Sequence, residues 1–144
     1  MNLQDIIQHT YEQARLLGAC PLFTGKEKTV EELVKLLKSP QGIEFCVKNS
    51  FPTMPTLRLF KVYNPEHLGV YIDAGEIELH EPTNIVLAGR TTATIHCESL
   101  SMHHITLLNG ARAVINASGW AVVNTNVGRG CRIISNIKNN AIIL

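Results

Sequence analysis

At 144 residues, with 45% hydrophobic and 17% charged residues, the chain holds enough apolar material for a packed core and too much for a disordered segment. A formal net charge of +1 gives no broad field to attract nucleic acid or an anionic membrane, and no apolar run approaches the roughly 20 residues that span a bilayer. Cys20, Cys46, Cys97 and Cys131 are scattered without a CxxC pair, so the expectation is reduced thiols in a cytoplasmic protein rather than a disulfide framework or a cysteine zinc site.

The first part of the chain reads as helical. Leu3, Ile6, Ile7, Ala14 and Leu17 recur at helical spacing, with Asn2 as the N-cap and Gly18 as the stop. Thr29 and Glu32 have the spacing of a capping box and open a helix that carries Val30, Leu33, Leu36 and Leu37. Pro40 suits the first turn of a third helix. Pro52 and Pro55, which lack amide hydrogens, break it, and 56–61 forms one more helical turn. Residues 1–66 are therefore predicted to be a helical cap over the open strand edges of whatever follows.

Residues 67–144 read as strands at regular spacing: 70–73, 76–80, 85–88, 92–97, 104–108, 112–117, 121–124, 131–135 and 141–144. Gly75, Gly89, Gly110, Gly119, Gly128 and Gly130 fall between them, where tight corners call for positive φ. Val86, Ile105, Val123 and Ile142 step by 19, 18 and 19 residues, and Ile77, Ile95, Val114 and Ile133 by 18, 19 and 19. Such self-similarity is the mark of stacked coils that share one core. The predicted fold is α+β: the helical cap followed by a short single-stranded, right-handed β-solenoid of about four coils with two strands each. A small antiparallel β-sandwich or jelly roll is the alternative. Within the solenoid, Ile95 is expected near Ile115 and Ile134, His96 near Asn116 and Ser135, and Ile95, Val114 and Ile133 in one inward column.

The block 84–135 resembles the short coils of bactofilin-type β-helices, which build polymers and scaffolds. The helix ThrValGluGluLeuValLysLeuLeu, the turn SerProGlnGlyIleGluPheCys and the strand TyrIleAspAlaGlyGluIle are similar to those of small proteins of gut Bacteroides-type bacteria, some carried on mobile elements. The first resemblance implies a structural role; the second implies no activity.

Candidate chemistry is sparse. Solenoid enzymes similar to the γ-class carbonic anhydrases hold zinc with histidines from neighbouring coils, which makes His96, His103 and His104 candidate metal ligands of a trimeric metalloenzyme. Adjacent extended residues such as His103 and His104 point to opposite faces, and a surface or loop role is the plainer reading. Asp73, Glu76, Glu78, Glu81 and Glu98 offer carboxylates, though Glu76 and Glu78 on one strand face are ordinary for a solvated sheet. The Asn and Ser steps read as ladder or corner residues. Asn116, with Tyr71 and Trp120 as stacking platforms, would line a glycan groove, although a lone tryptophan more often packs at a corner or interface. Arg112 and Arg132 lie about one coil apart and form a small exposed ladder. No nucleotide, hydrolase or zinc-protease motif is present.

The resulting expectation is a non-enzymatic structural or interaction protein without a cofactor, partnered by a second copy of itself and by neither nucleic acid nor membrane. A carbohydrate-binding or carbohydrate-processing module and a solenoid metalloenzyme are the alternatives. Ile142, Ile143 and Leu144 form an apolar end, so a homodimer, or a higher closed oligomer, is expected to use it, with a frayed tail as the plainer reading.

Overall fold

The structure, a computed structural model, describes residues 2–19 and 25–144; Cys20 lies outside the described residues. Helix α1 (Leu3–Leu16) begins with a capping box: the Asn2 side chain accepts from the Asp5 amide at 2.9 Å and the Asp5 carboxylate from the Asn2 amide at 3.3 Å. At α2 (Val30–Leu37) the Thr29 hydroxyl accepts from the Glu32 amide at 3.1 Å, while the Glu32 carboxylate turns to that hydroxyl instead of the Thr29 amide. Pro40 opens α3 (Pro40–Asn49) in its first turn, as expected. Helix α4 (Met54–Phe60) starts earlier than the sequence indicates. Pro55 is no breaker, since it sits in the first helical turn, where the missing amide has no partner to lose. Two 3-10 turns, Lys61–Tyr63 and Pro65–Leu68, lead into the strands.

All nine expected strands are present: β1 (Val70–Ile72), β2 (Gly75–His80), β3 (Asn84–Ala88), β4 (Thr91–Cys97), β5 (Met102–Leu108), β6 (Arg112–Ala117), β7 (Val122–Val127), β8 (Arg132–Ile137) and β9 (Ile142–Ile143). Odd strands form a five-stranded sheet in the order β1-β3-β5-β7-β9, even strands a four-stranded sheet in the order β2-β4-β6-β8, and every pairing is parallel. The chain alternates between the sheets, which is a β-solenoid of about four coils. An antiparallel sandwich or jelly roll does not fit this pairing.

The register corrects the expected period. Val70 pairs with Val86 after 16 residues, whereas Ile85 pairs with Ile105, Met102 with Val122, and Val122 with Ile142 after 20 each. Steps near 19 are the average of one short coil and several longer ones. Ile95 pairs with Ile115 and His96 with Asn116, as expected, but on the next coil Ile115 meets Ser135 and Asn116 meets Asn136. The inward column Ile95–Val114–Ile133 does not exist. Val114 stands between Thr94 and Ile134 on the outward face, and the inward columns are Ala93–Ala113–Ile133 and Ile95–Ile115–Ser135. A slip of one residue exchanges the two faces of a strand.

The later corners repeat every ten residues. The amides of Ala111, Ala121, Cys131 and Ala141 each donate to the carbonyl three residues back, at 3.2–3.4 Å. Asn109, Gly110, Gly119, Gly130 and Asn139 supply the left-handed backbone there. Gly128 is no such case: a Cβ on it would lie 2.9 Å from the Leu107 carbonyl oxygen, so close approach of neighbouring coils requires the glycine. The alanines turn inward to join Leu87, Ile95, Ile105, Leu107, Ile115 and Val123 in the solenoid interior.

A second core lies outside the stack. Val70, Ile72, Val86, Ala88 and Leu108 project from the outer face of the five-stranded sheet and pack with Ile6, Ile7, Tyr11, Ala14, Leu57 and Phe60. The helices therefore flank that sheet, with α3 reaching β5 and β7, and are not a lid over the first coil alone. Polar contacts hold them there. Lys38 Nζ donates to the carbonyls of Leu68 (2.6 Å) and Asn84 (2.7 Å), and Asn109 Nδ2 to that of Pro52 (2.8 Å). Arg58 Nε lies 2.7 Å from Asp73 Oδ2, and the Asp73 carboxylate also accepts from the Arg90 amide at 2.8 Å. The Arg58 side chain first, then the Arg90 amide, hold the Asp73 carboxyl below its usual range.

Candidate functional site

The outer face of the four-stranded sheet is uncovered and carries the densest ionisable cluster. Glu78 and His80 are two apart on β2, so they share a face. The parallel register pairs His80 with His96 of β4, one strand spacing away. The imidazole rings stack with centroids 4.8 Å apart and planes 13° from parallel. His80 Nε2 lies 3.1 Å from Glu78 Oε1, and His96 Nε2 lies 3.5 Å from Glu78 Oε2. Hydrogen bonds from His80 and then His96 hold the Glu78 carboxyl below its usual range. Among the described residues this is the one group of three metal-ligand side chains whose ligating atoms come together, all within 4.8 Å of one another.

Of the three histidines singled out by sequence, only His96 belongs to this cluster. His103 points inward and is fully buried; its Nδ1 lies 2.6 Å from the Pro82 carbonyl oxygen and its Nε2 3.3 Å from Ser101 Oγ. The same Nε2 also lies 3.5 Å from Glu81 Oε2. Ser101 Oγ lies 2.9 Å from Ser99 Oγ, which donates to the Glu81 carboxylate at 2.6 Å. Burial raises the Glu81 carboxyl, but bonds from the Ser99 hydroxyl and from the Glu98 and Ser99 amides outweigh it, leaving the group below its usual range. This chain of contacts ties a corner of the second coil. His104 faces outward on the other sheet, 3.3 Å from Asn124 Nδ2. The opposite orientation of His103 and His104 is as expected; a shared site for all three histidines is not formed.

The expected glycan groove is not assembled. Tyr71 is half-buried against the solenoid interior, and burial first, then Glu66, raises its phenol. Asn116 lies on the outer face of the four-stranded sheet and accepts from Asn136 Nδ2 at 2.9 Å, the start of an asparagine ladder. Trp120 is 62% exposed at a corner. The thiols of Cys46 and Cys97 are buried and pushed up to about 12 and about 11, mainly by that burial, which leaves them protonated and inert at neutral pH.

The last coil presents a second feature. Strands β8 and β9 are the final strands of their sheets. Ile137 follows Cys97 and Ala117 in an inward column, yet it is 51% exposed because no further coil covers it among the described residues. Ile143 is half-buried beneath Val123, while Ile142 and Leu144 are 50% and 64% exposed. This segment is not frayed. The Leu144 carbonyl accepts from the Thr125 amide (3.1 Å) and hydroxyl (2.6 Å), and the Leu144 amide donates to Val123 (2.7 Å).

Compared with protein-family models, curated proteins and solved structures, the chain matches none of them. No helix among the described residues is long and apolar enough to cross a membrane. His80 escapes a search at steps of 18 or 19, yet the sequence holds its signal: IleGluLeuHis at 77–80 and AlaThrIleHis at 93–96 repeat after 16 residues.

Proposed function

We propose that this is a non-enzymatic structural or interaction protein of the cytoplasm that self-associates through its solenoid, two copies docking on the last coil. The half-exposed inward residue Ile137 carries the reading. A strand pair with an apolar interior layer left open, and Ile134, Ile142 and Leu144 exposed around it, gains free energy by meeting another such surface. Fully burying an aliphatic side chain is worth roughly 1.5–3 kcal/mol, so these few residues supply enough to offset part of the association entropy. A two-fold axis is the simplest closed arrangement. With two β8 strands antiparallel, it sets the Arg132 guanidinium groups at opposite ends of the shared ladder. The resemblance to bactofilin-type coils supports a scaffold role, and the unpaired state of Cys46, Cys97 and Cys131 supports a reducing compartment.

Light scattering at roughly 100 μM, where even a micromolar dimer is populated, should give twice the chain mass. Ile137→Lys and Ile142→Lys should return it to one chain while circular dichroism stays unchanged. A wild-type monomer under those conditions overturns the proposal.

A further inference from the structure

We propose that Glu78, His80 and His96 form a surface site for a divalent late-transition-metal ion, with zinc as the probe. The site is independent of the docking surface, since it lies on the first two coils of the stack and the docking surface on the last. Its donor set is two imidazole nitrogens and a carboxylate, which suits zinc, copper or nickel; magnesium and calcium prefer all-oxygen shells. The spacing fits. Around a tetrahedral ion with metal–ligand distances near 2.0–2.1 Å, neighbouring ligand atoms lie about 3.3 Å apart. The two histidine-to-carboxylate separations, one to each Glu78 oxygen, are 3.1 and 3.5 Å, and the three ligand atoms lie within 4.8 Å of one another. Only the side chains must adjust, because the parallel register fixes the backbone of both strands.

Proton balance is simple. Each imidazole coordinates through the Nε2 lone pair and keeps one proton on Nδ1, so the proton that Nε2 donates to Glu78 in the metal-free protein passes to solvent, a neutral ring taking one back at Nδ1; Glu78 coordinates as a carboxylate. The contacts of Nε2 with Glu78 are replaced by bonds to the ion. The side chains of Glu78, His80 and His96 are 61%, 66% and 30% exposed, so water completes the coordination sphere and the ion exchanges freely. Glu78 and His80 come from the terminal strand β2 and His96 from its neighbour β4, so the ion clips the edge of the sheet to the strand beside it.

Isothermal titration of chelator-treated full chain with zinc chloride tests this, with thermal unfolding followed with and without zinc. One ion per chain and a higher melting temperature with zinc are expected, as for any ligand that binds only the folded state. His80→Ala, His96→Ala and Glu78→Gln should each weaken zinc by roughly tenfold or more, and magnesium should give no heat. His104→Ala, on the other sheet, should bind like the wild type. These substitutions are on an exposed face, and an unchanged melting temperature without zinc shows that they fold. Absence of stoichiometric zinc binding at roughly 100 μM metal overturns the site, and so does zinc binding that survives the double variant His80→Ala/His96→Ala.

Discussion

The two sheets of the solenoid share one interior and the same parallel ladder, yet their outer faces differ. On the five-stranded sheet the outward residues of the early coils are Val70, Ile72, Val86, Ala88 and Leu108, and helices cover them. On the four-stranded sheet the outward positions are Glu76, Glu78 and His80, then Thr92, Thr94 and His96, then Arg112, Val114 and Asn116, and solvent covers them. Interior packing does not decide where the helices dock; the outward residues do. The burial patterns show it. Strand β4 alternates buried with exposed or half-buried, as a one-sided sheet must, whereas β3 after Asn84 is buried at every residue.

The strongest way to break this account is to place a charge on neighbouring residues of one strand. Ile115→Asp puts an unpaired carboxylate in the solenoid interior and should cost about 4 kcal/mol or more, comparable with a small domain's whole stability, so the variant should not purify folded. Val114→Asp, on the outer face, should shift the urea midpoint only slightly. Equal damage from both would refute the register.

Equal truncations on the two outer faces come next. Val86→Ala, beneath the helices, should cost about 2 kcal/mol. Thr94→Ala, on the uncovered sheet, should stay within about 0.5 kcal/mol. Similar losses in chemical denaturation would mean that the helices do not seal the five-stranded sheet.

The ionic seam between the helices and the first coil can be tested by acid. The folded Asp73 carboxyl lies below its ordinary value, so its contribution is complete above about pH 4 and is lost as pH falls through the lower, folded value. Asp73→Asn should remove about 1–2 kcal/mol at pH 7 and flatten the acid limb of a stability–pH curve. The smallest effect has the opposite sign. Thr106 is buried on the helix-packed face, and its hydroxyl has no partner among the described residues. Thr106→Val removes an unsatisfied group at nearly constant volume and should raise stability by up to about 1 kcal/mol. A loss there would reveal a partner for the hydroxyl.

Much of the architecture is legible in the residues. Val, Ile and Thr runs, with glycine at several of the corners between them, mark most of the strands, and Asn2, Thr29 and Pro40 mark three helix starts. Register is harder, because period analysis assumes equal coils. The first coil is four residues shorter than the next, which hides His80 from His96 and turns Val114 inward on paper. The position of the helices is written in the doubly buried run IleValLeuAla at 85–88, which reads equally well as a strand buried on one face until its alternation is compared with β4. Of the candidate residues, His96 is visible from sequence and Glu78 reads there only as one carboxylate among several. Their meeting depends on a register that composition does not encode.

The ten-residue corners make the later coils interchangeable units. A copy of residues 121–140 inserted behind Asn140 would bring its own corners and inward alanine, and its strands would continue both ladders at the 20-residue step. The outward residues that seat the helices, Val70 to Leu108, all lie upstream of that insertion. Stack length and helix docking are therefore separable traits. Duplication of a single coil within the gene would lengthen the rod without disturbing the helix-packed part of the molecule.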